Sequence, residues 1–250
     1  LSLCGAVAAS TVVGGLARSD AVSPEFTGAV LISELGCAAC HPAARADQEA
    51  KPGPDLSAVG ARAHGVHLRE FIANPSATKP GTTMPDVLGH LTATERAATA
   101  DALAHYLASL GSTMMAFEKP APDAIERGRK VYHSVGCVAC HSPETPLTDS
   151  VPLGPLAEKY SIASLAKFLE DPLAVRASGR MPDLKLEHFE AMDLASYLLR
   201  DQVPPAAFKP DPQLAARGKT LFAQHRCAAC HQVGGVRAQQ LARCSFANCC

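Results

Sequence analysis

Three pentapeptides of one spacing constrain this chain more than anything else in it: Cys37-Ala38-Ala39-Cys40-His41, Cys137-Val138-Ala139-Cys140-His141 and Cys227-Ala228-Ala229-Cys230-His231. They use six of the ten cysteines and three of the ten histidines in 250 residues. Self-similarity at a long period means that one structural unit is used repeatedly. The likeness reaches beyond the pentapeptides. A glycine stands nine residues ahead of each first cysteine, at Gly28, Gly128 and Gly218, and Arg127-Gly128 matches Arg217-Gly218. Leu31 and Leu35, like Val131 and Val135, are four apart and share one face of a predicted helix ahead of each motif.

The first two copies also agree downstream. Leu68, Phe71, Ile72 and Pro75 align without gaps on Leu165, Phe168, Leu169 and Pro172. Nine residues after each proline comes a Met-Pro-Asp, at Met84 and at Met181. Residues 101–107 and 193–198 then read as amphipathic helices with small residues for close packing. Thr92 and Glu95 have the spacing of a capping box ahead of the first. Proline-rich stretches from Glu118 to Asp123 and from Val203 to Pro212 read as extended, stiff linkers. The predicted organisation is a leader over residues 1–21, a first domain over 22–118, a second over 119–203 and an incomplete third over 204–250.

The leader rests on the uncharged stretch Leu1–Ala17, which has the length of the apolar region of a secretory signal and is short for a membrane span. Small residues at Ser19 and Ala21 offer a cleavage site near Val22, which places the mature chain in the periplasm or outside the cell. A buried N-terminal helix and a lipoprotein signal around Cys4 are the weaker readings. With no basic segment ahead of it, the sequence reads as starting inside the signal. No other segment approaches the length of a transmembrane helix, so membrane association would come through a partner. Lys plus Arg number 23 against 24 Asp plus Glu, a balance that excludes nucleic acid as the main partner. Hydrophobic residues make up 47% of the chain, yet aromatics are 5% and tryptophan is absent. The core is therefore aliphatic, or built around something that is not protein.

C-x-x-C-H is the spacing of covalent c-type haem attachment. Two thiols on one helical turn add across the two vinyl groups of a haem, and the adjacent imidazole faces the iron. Zinc is the competing reading, but paired zinc motifs stand about 20 residues apart, whereas these are separated by 100 and 90. On these motifs the chain resembles the class I c-type cytochromes, and as a whole a multihaem member of that group. The resemblance covers about Pro24 to Leu199 and the attachment half of a third copy. It implies a mainly α fold of tandem helical domains, each wrapped around one covalent haem c, two to three in all. Cys37, Cys40, Cys137, Cys140, Cys227 and Cys230 would carry the haems, and His41, His141 and His231 would be the proximal iron ligands. Met84 and Met181 would be distal ligands, since a thioether on a loop stiffened by the next proline reaches the open face of the iron. Met114, Met115 and Met192 read as core filling. Arg62 and Lys159 align in the repeat and read either as partners of haem propionates or as solvated surface charges. His133 and His225 precede attachment cysteines, which leaves bis-histidine ligation as an alternative. The other histidines read as surface or packing residues.

The third copy departs from this pattern. Nineteen residues follow His231 and none is methionine, so this segment brings neither a distal loop nor a closing helix of its own. The sequence reads as stopping early, or else the third haem is open on one side. The resemblance implies electron transfer between donor and acceptor redox proteins, without a catalytic constellation apart from the haems. An open third haem would instead suit a peroxidase, and a cytochrome subunit of a dehydrogenase complex or a scaffold module are further alternatives. Cys4, Cys244, Cys249 and Cys250 have no role in this reading.

Overall fold

Proline and capping residues decide where the helices of this chain start. In the computed structural model, which describes residues 23–34, 53–111, 118–142, 150–177 and 179–234, the α-helices are α1 (Pro24–Glu34), α2 (Gly65–Ala73), α3 (Pro75–Thr78), α4 (Ala93–Ala108), α5 (Pro122–Ser134), α6 (Ile162–Glu170), α7 (Pro172–Val175), α8 (His188–Leu199) and α9 (Pro212–Gln224). Five of them begin on proline, whose fixed φ and missing N–H cost nothing at the first helical position. The capping box at α4 forms as the sequence predicts. The Thr92 hydroxyl accepts from Glu95 N at 3.3 Å, and Glu95 Oε2 accepts from Thr92 N at 3.0 Å. Asn74 and Asp171 cap α3 and α7 at equivalent positions, accepting from Ala77 N and Ala174 N. The chain is mainly helical, with no strand among the described residues.

Two compact units divide the chain, one of Leu1–Ala50 with Arg243–Cys250 and one of Lys51–Ala242. Within the first, α1 is the described element, with Gly28 in its middle. Cys37, Cys40 and His41 lie outside the described residues, as do Met114, Met115, Cys4, Cys244, Cys249 and Cys250.

The second unit holds two hydrophobic cores. One is built entirely from residues 125–199: α8 lies between α5 and α6, with Tyr132, Ile162, Leu165, Leu169, Leu194 and Tyr197 at its centre. The sequence predicts α8 as amphipathic, yet eight of its twelve residues are buried. A helix packed on two sides needs apolar or small residues nearly all round. Met192 packs against this core, as predicted for a filling residue.

The other core repeats this arrangement with a different chain path. Here α4 lies between α2 and α9, so the first copy's closing helix packs against the helix of the third copy. Leu56, Val59, Leu68, Ile72, Leu88, Leu103, Leu107 and Phe222 share this core. Helix α4 has 16 residues and α8 has 12, which accounts for four of the six residues by which the stretch from Met181 to Tyr197 is shorter than that from Met84 to Tyr106. Residues 118–121 are an extended linker, but Pro122 and Asp123 already belong to the first turn of α5. The second linker is extended as predicted and leads from α8 back onto the first copy. Its Phe208 ring lies against Gly65, where a Cβ would come within 2.2 Å of it. The ring also lies tilted against His105 at 4.6 Å, and Asp211 N donates to His105 Nδ1 at 2.8 Å.

Candidate functional site

Both crossings that position an attachment motif depend on glycine. A Cβ on Gly128 would sit 2.0 Å from Asp193 O and 2.8 Å from Tyr197 Cβ, and one on Gly218 would sit 2.0 Å from Ala102 O and 2.7 Å from Tyr106 Cβ. The repeat's glycine is therefore the point where the motif's helix and the closing helix touch backbone to backbone. Aromatic pairs flank each contact: Tyr132 with Tyr197 at 5.5 Å, and Phe222 with Tyr106 at 5.6 Å. At the first pair the Arg127 guanidinium also forks onto Asp193, with bonds of 2.6 and 2.8 Å.

The second and third motifs each leave their helix through a left-handed residue, Gly136 at φ 91° and Arg226 at φ 56°. A 3₁₀ turn over Cys137–Ala139 or Cys227–Ala229 follows, closed by Cys140 N donating to Cys137 O and Cys230 N to Cys227 O, both at 3.2 Å. Of the four cysteines, Cys137 is buried, Cys227 half-buried, and Cys140 and Cys230 exposed. Burial raises the Cys137 thiol above its ordinary value and pushes Cys227 up to about 11. Both are held as S–H.

The two histidines are oriented in the same way. His141 Nδ1 lies 2.9 Å from Val151 O, and His231 Nδ1 lies 3.0 Å from Pro54 O. A carbonyl only accepts, so Nδ1 carries the proton and Nε2 keeps the lone pair that a metal takes. Such an outer partner fixes both ring orientation and tautomer. Burial lowers the His231 imidazole below its ordinary value, opposed by the bond to Pro54. That favours the neutral, ligating form.

Pro54 stands at the repeat position of Val151, in the register that places Leu68 on Leu165. The third motif's histidine thus rests on a carbonyl of the first copy. Val151 N donates to Cys140 O at 2.8 Å. Pro54 has no N–H, and the donor moves back one residue, so Gly53 N bonds Cys230 O at 3.0 Å. A Cβ on Gly53 would meet His231 Nδ1 at 2.7 Å, so glycine is required for this approach. Leu56 N to Gln232 O at 2.8 Å and Gly234 N to Ser57 Oγ at 2.8 Å complete the seam.

Met181 packs against the core that contains Cys137. Met84, its counterpart, is half-buried on the loop before α4, with its N–H on Thr82 Oγ1 at 3.3 Å. His133 is exposed and edge-on to Tyr132, while His225 is half-buried and faces His90 at 6.0 Å.

Positive charge collects where the two copies meet, at His64 N to Lys159 O. Burial, then Arg176, Lys79 and Arg62, pushes the Lys159 ammonium down to about 6. Burial, Arg176 and Arg180 lower Lys79. Arg62 is lowered by burial, although its guanidinium donates to Asp55 O at 2.6 Å and the Asp55 charge favours its cationic form. Burial, Lys159, Arg176 and His64 push His67 down to about 3. A half-buried group of like charges with Lys79 at its exposed edge is short of anions. Carboxylates such as haem propionates would supply them, and the cysteine thiols, oriented imidazoles and half-buried thioethers make up a donor set that fits haem c. Repeat register finds Arg62 and Lys159 in the sequence. The same register sets Lys79 on Arg176, a pair the motifs do not single out, while Arg180 falls on Thr83.

A family model for cytochrome c matches residues 215–243, the segment that carries α9 and the third motif. The match supports a class I c-type cytochrome with covalently bound haem c and its iron, haem-binding electron transfer and redox partners. No curated protein and no solved structure gives a significant match to the chain. Among the described residues, no helix is long and apolar enough to cross a membrane.

Proposed function

We propose that this protein is a multihaem electron carrier of the periplasm or extracellular space, taking electrons from one redox protein and delivering them to another. The observation that carries this reading is the duplicated geometry around His141 and His231. In both, a C-x-x-C turn follows a glycine-mediated helix crossing, and a carbonyl holds Nδ1 so that Nε2 is free. Each cysteine adds its S–H across one vinyl group, sulfur to one carbon and hydrogen to the other, so a thioether forms without oxidant or leaving group. When bound, the haem supplies a one-electron ferric/ferrous couple.

The chain's own residues do the rest. Cys137 and Cys140 tether one haem, with His141 proximal and Met181 distal; Cys37, Cys40 and His41 serve another, and Cys227, Cys230 and His231 a third. Histidine–methionine ligation raises the reduction potential, and burial keeps water from the iron. Arg62, Lys79, Lys159 and Arg176 crowd one another and would pair with propionates of a bound haem. Mass spectrometry of the chain produced with c-type haem maturation tests this reading. Three covalent haems are expected, and a chain that leaves maturation without haem at Cys137 and Cys140 refutes it.

A further inference from the structure

We propose that the third attachment motif and the distal half of the first copy form one composite haem site, with Cys227 and Cys230 as tethers, His231 as proximal ligand and Met84 as distal ligand. The inference rests on the haem-carrier reading above and goes beyond it by joining residues that the sequence order assigns to different domains.

Four observations carry it. Helix α9 occupies the face of α4 that α5 occupies on α8, glycine against backbone, at matching contacts of 2.0 Å for the added Cβ. His231 Nδ1 takes the carbonyl of Pro54, which stands in repeat register with the Val151 that serves His141. Gly53 N and Leu56 N bond the carbonyls of Cys230 and Gln232 at 3.0 and 2.8 Å, so the third motif is stitched directly to the first copy. Finally, Phe222, Leu221, Cys227 and Ala228 join the core formed by Leu56, Val59, Leu68 and Leu103. A distal loop and a closing helix that can serve His231 are thus present earlier in the chain. Met84 holds the position of Met181 in that half. Helix α4 has one such face and α9 fills it, so two attachment helices cannot be seated there together.

The test uses the full chain with Cys37→Ser and Cys40→Ser, which removes the first attachment point. Haem per chain is read by mass, and the weak far-red band of ferric iron bonded to methionine is read by absorbance. Two haems are expected, both methionine-ligated. Adding Met84→Ala should then halve the band, and adding Met181→Ala should remove the other half. Met84→His keeps a sixth ligand, and with it the low-spin state, and should cost the same half; this covers the case in which alanine unfolds the site. The composite site is overturned if the doubly substituted chain carries haem only at the second motif, or if the band is unchanged by both Met84 substitutions. Absence of haem from every motif would instead refute the carrier reading itself.

Discussion

Replacing Gly218 by alanine puts a methyl group 2.0 Å from Ala102 O and 2.7 Å from Tyr106 Cβ, where ordinary contact begins at 3.4 Å. Neither obstacle is the far end of a flexible side chain. Helices α4 and α9 must therefore part by about 1.4 Å, the difference between those two distances. Overpacking of this kind costs about 1–3 kcal/mol, and the upper end applies where backbone opposes backbone. Alanine returns about 1 kcal/mol of helix propensity. The net loss is about 2 kcal/mol, felt by the core around Leu103 and Phe222 and not by the core around Leu194. Urea unfolding of the haem-loaded chain, with each haem followed by its absorbance, should show one haem site released at lower denaturant and the other unmoved. Gly128→Ala should produce the mirror result through Asp193 O. If Gly218→Ala leaves both transitions in place, or raises one as propensity alone would, the crossing does not hold the third motif. If Gly28→Ala carries the penalty instead, the first motif's helix makes that crossing.

Thr92→Ala should remove the hydroxyl half of the α4 capping box, freeing Glu95 N while the backbone N–H of residue 92 keeps Glu95 Oε2, at a cost of about 1 kcal/mol, seen as faster hydrogen exchange in the first turn of α4. Arg226 holds a left-handed conformation at φ 56° where the second copy has Gly136, so Arg226→Gly should raise the denaturation midpoint, relieving strain of about 1 kcal/mol; a lower midpoint would refute the strain argument. His67 is held at about 3, chiefly by burial and then by Lys159 and Arg176. The unfolded state binds its proton first, so stability should fall as pH drops from about 6.5 toward 3, by at most about 1.4 kcal/mol per pH unit for one proton. His67→Gln should flatten that slope in urea midpoints measured across the range. Below about pH 6, where Lys159 is protonated, Lys159→Met removes one cation from the cluster, which favours the oxidised haem and should lower at least one midpoint potential in a spectroelectrochemical titration. Unchanged potentials would mean that the cluster does not face the haems.

The sequence by itself determined everything local. The C-x-x-C-H spacing sets its own 3₁₀ turn, the cap at Thr92 needs three residues, and the prolines start the helices that the structure starts there. Repeat register alone aligned Met84 with Met181 and singled out the glycines at both crossings. What it left open was which attachment helix crosses α4, because residues 24–34 and 212–224 carry the same pattern and alignment has no means of choosing between them. Tertiary structure decided that through contacts far apart in the chain. Phe208 on Gly65, Asp211 on His105, Gly53 on Cys230 and Pro54 on His231 together seat α9. The cation cluster is tertiary for the same reason, since Lys79 and Arg62 of the first copy become neighbours of Lys159 only when the two copies meet. A buried seam selects partners by shape and by unmet hydrogen bonds, and neither is written in the order of the residues.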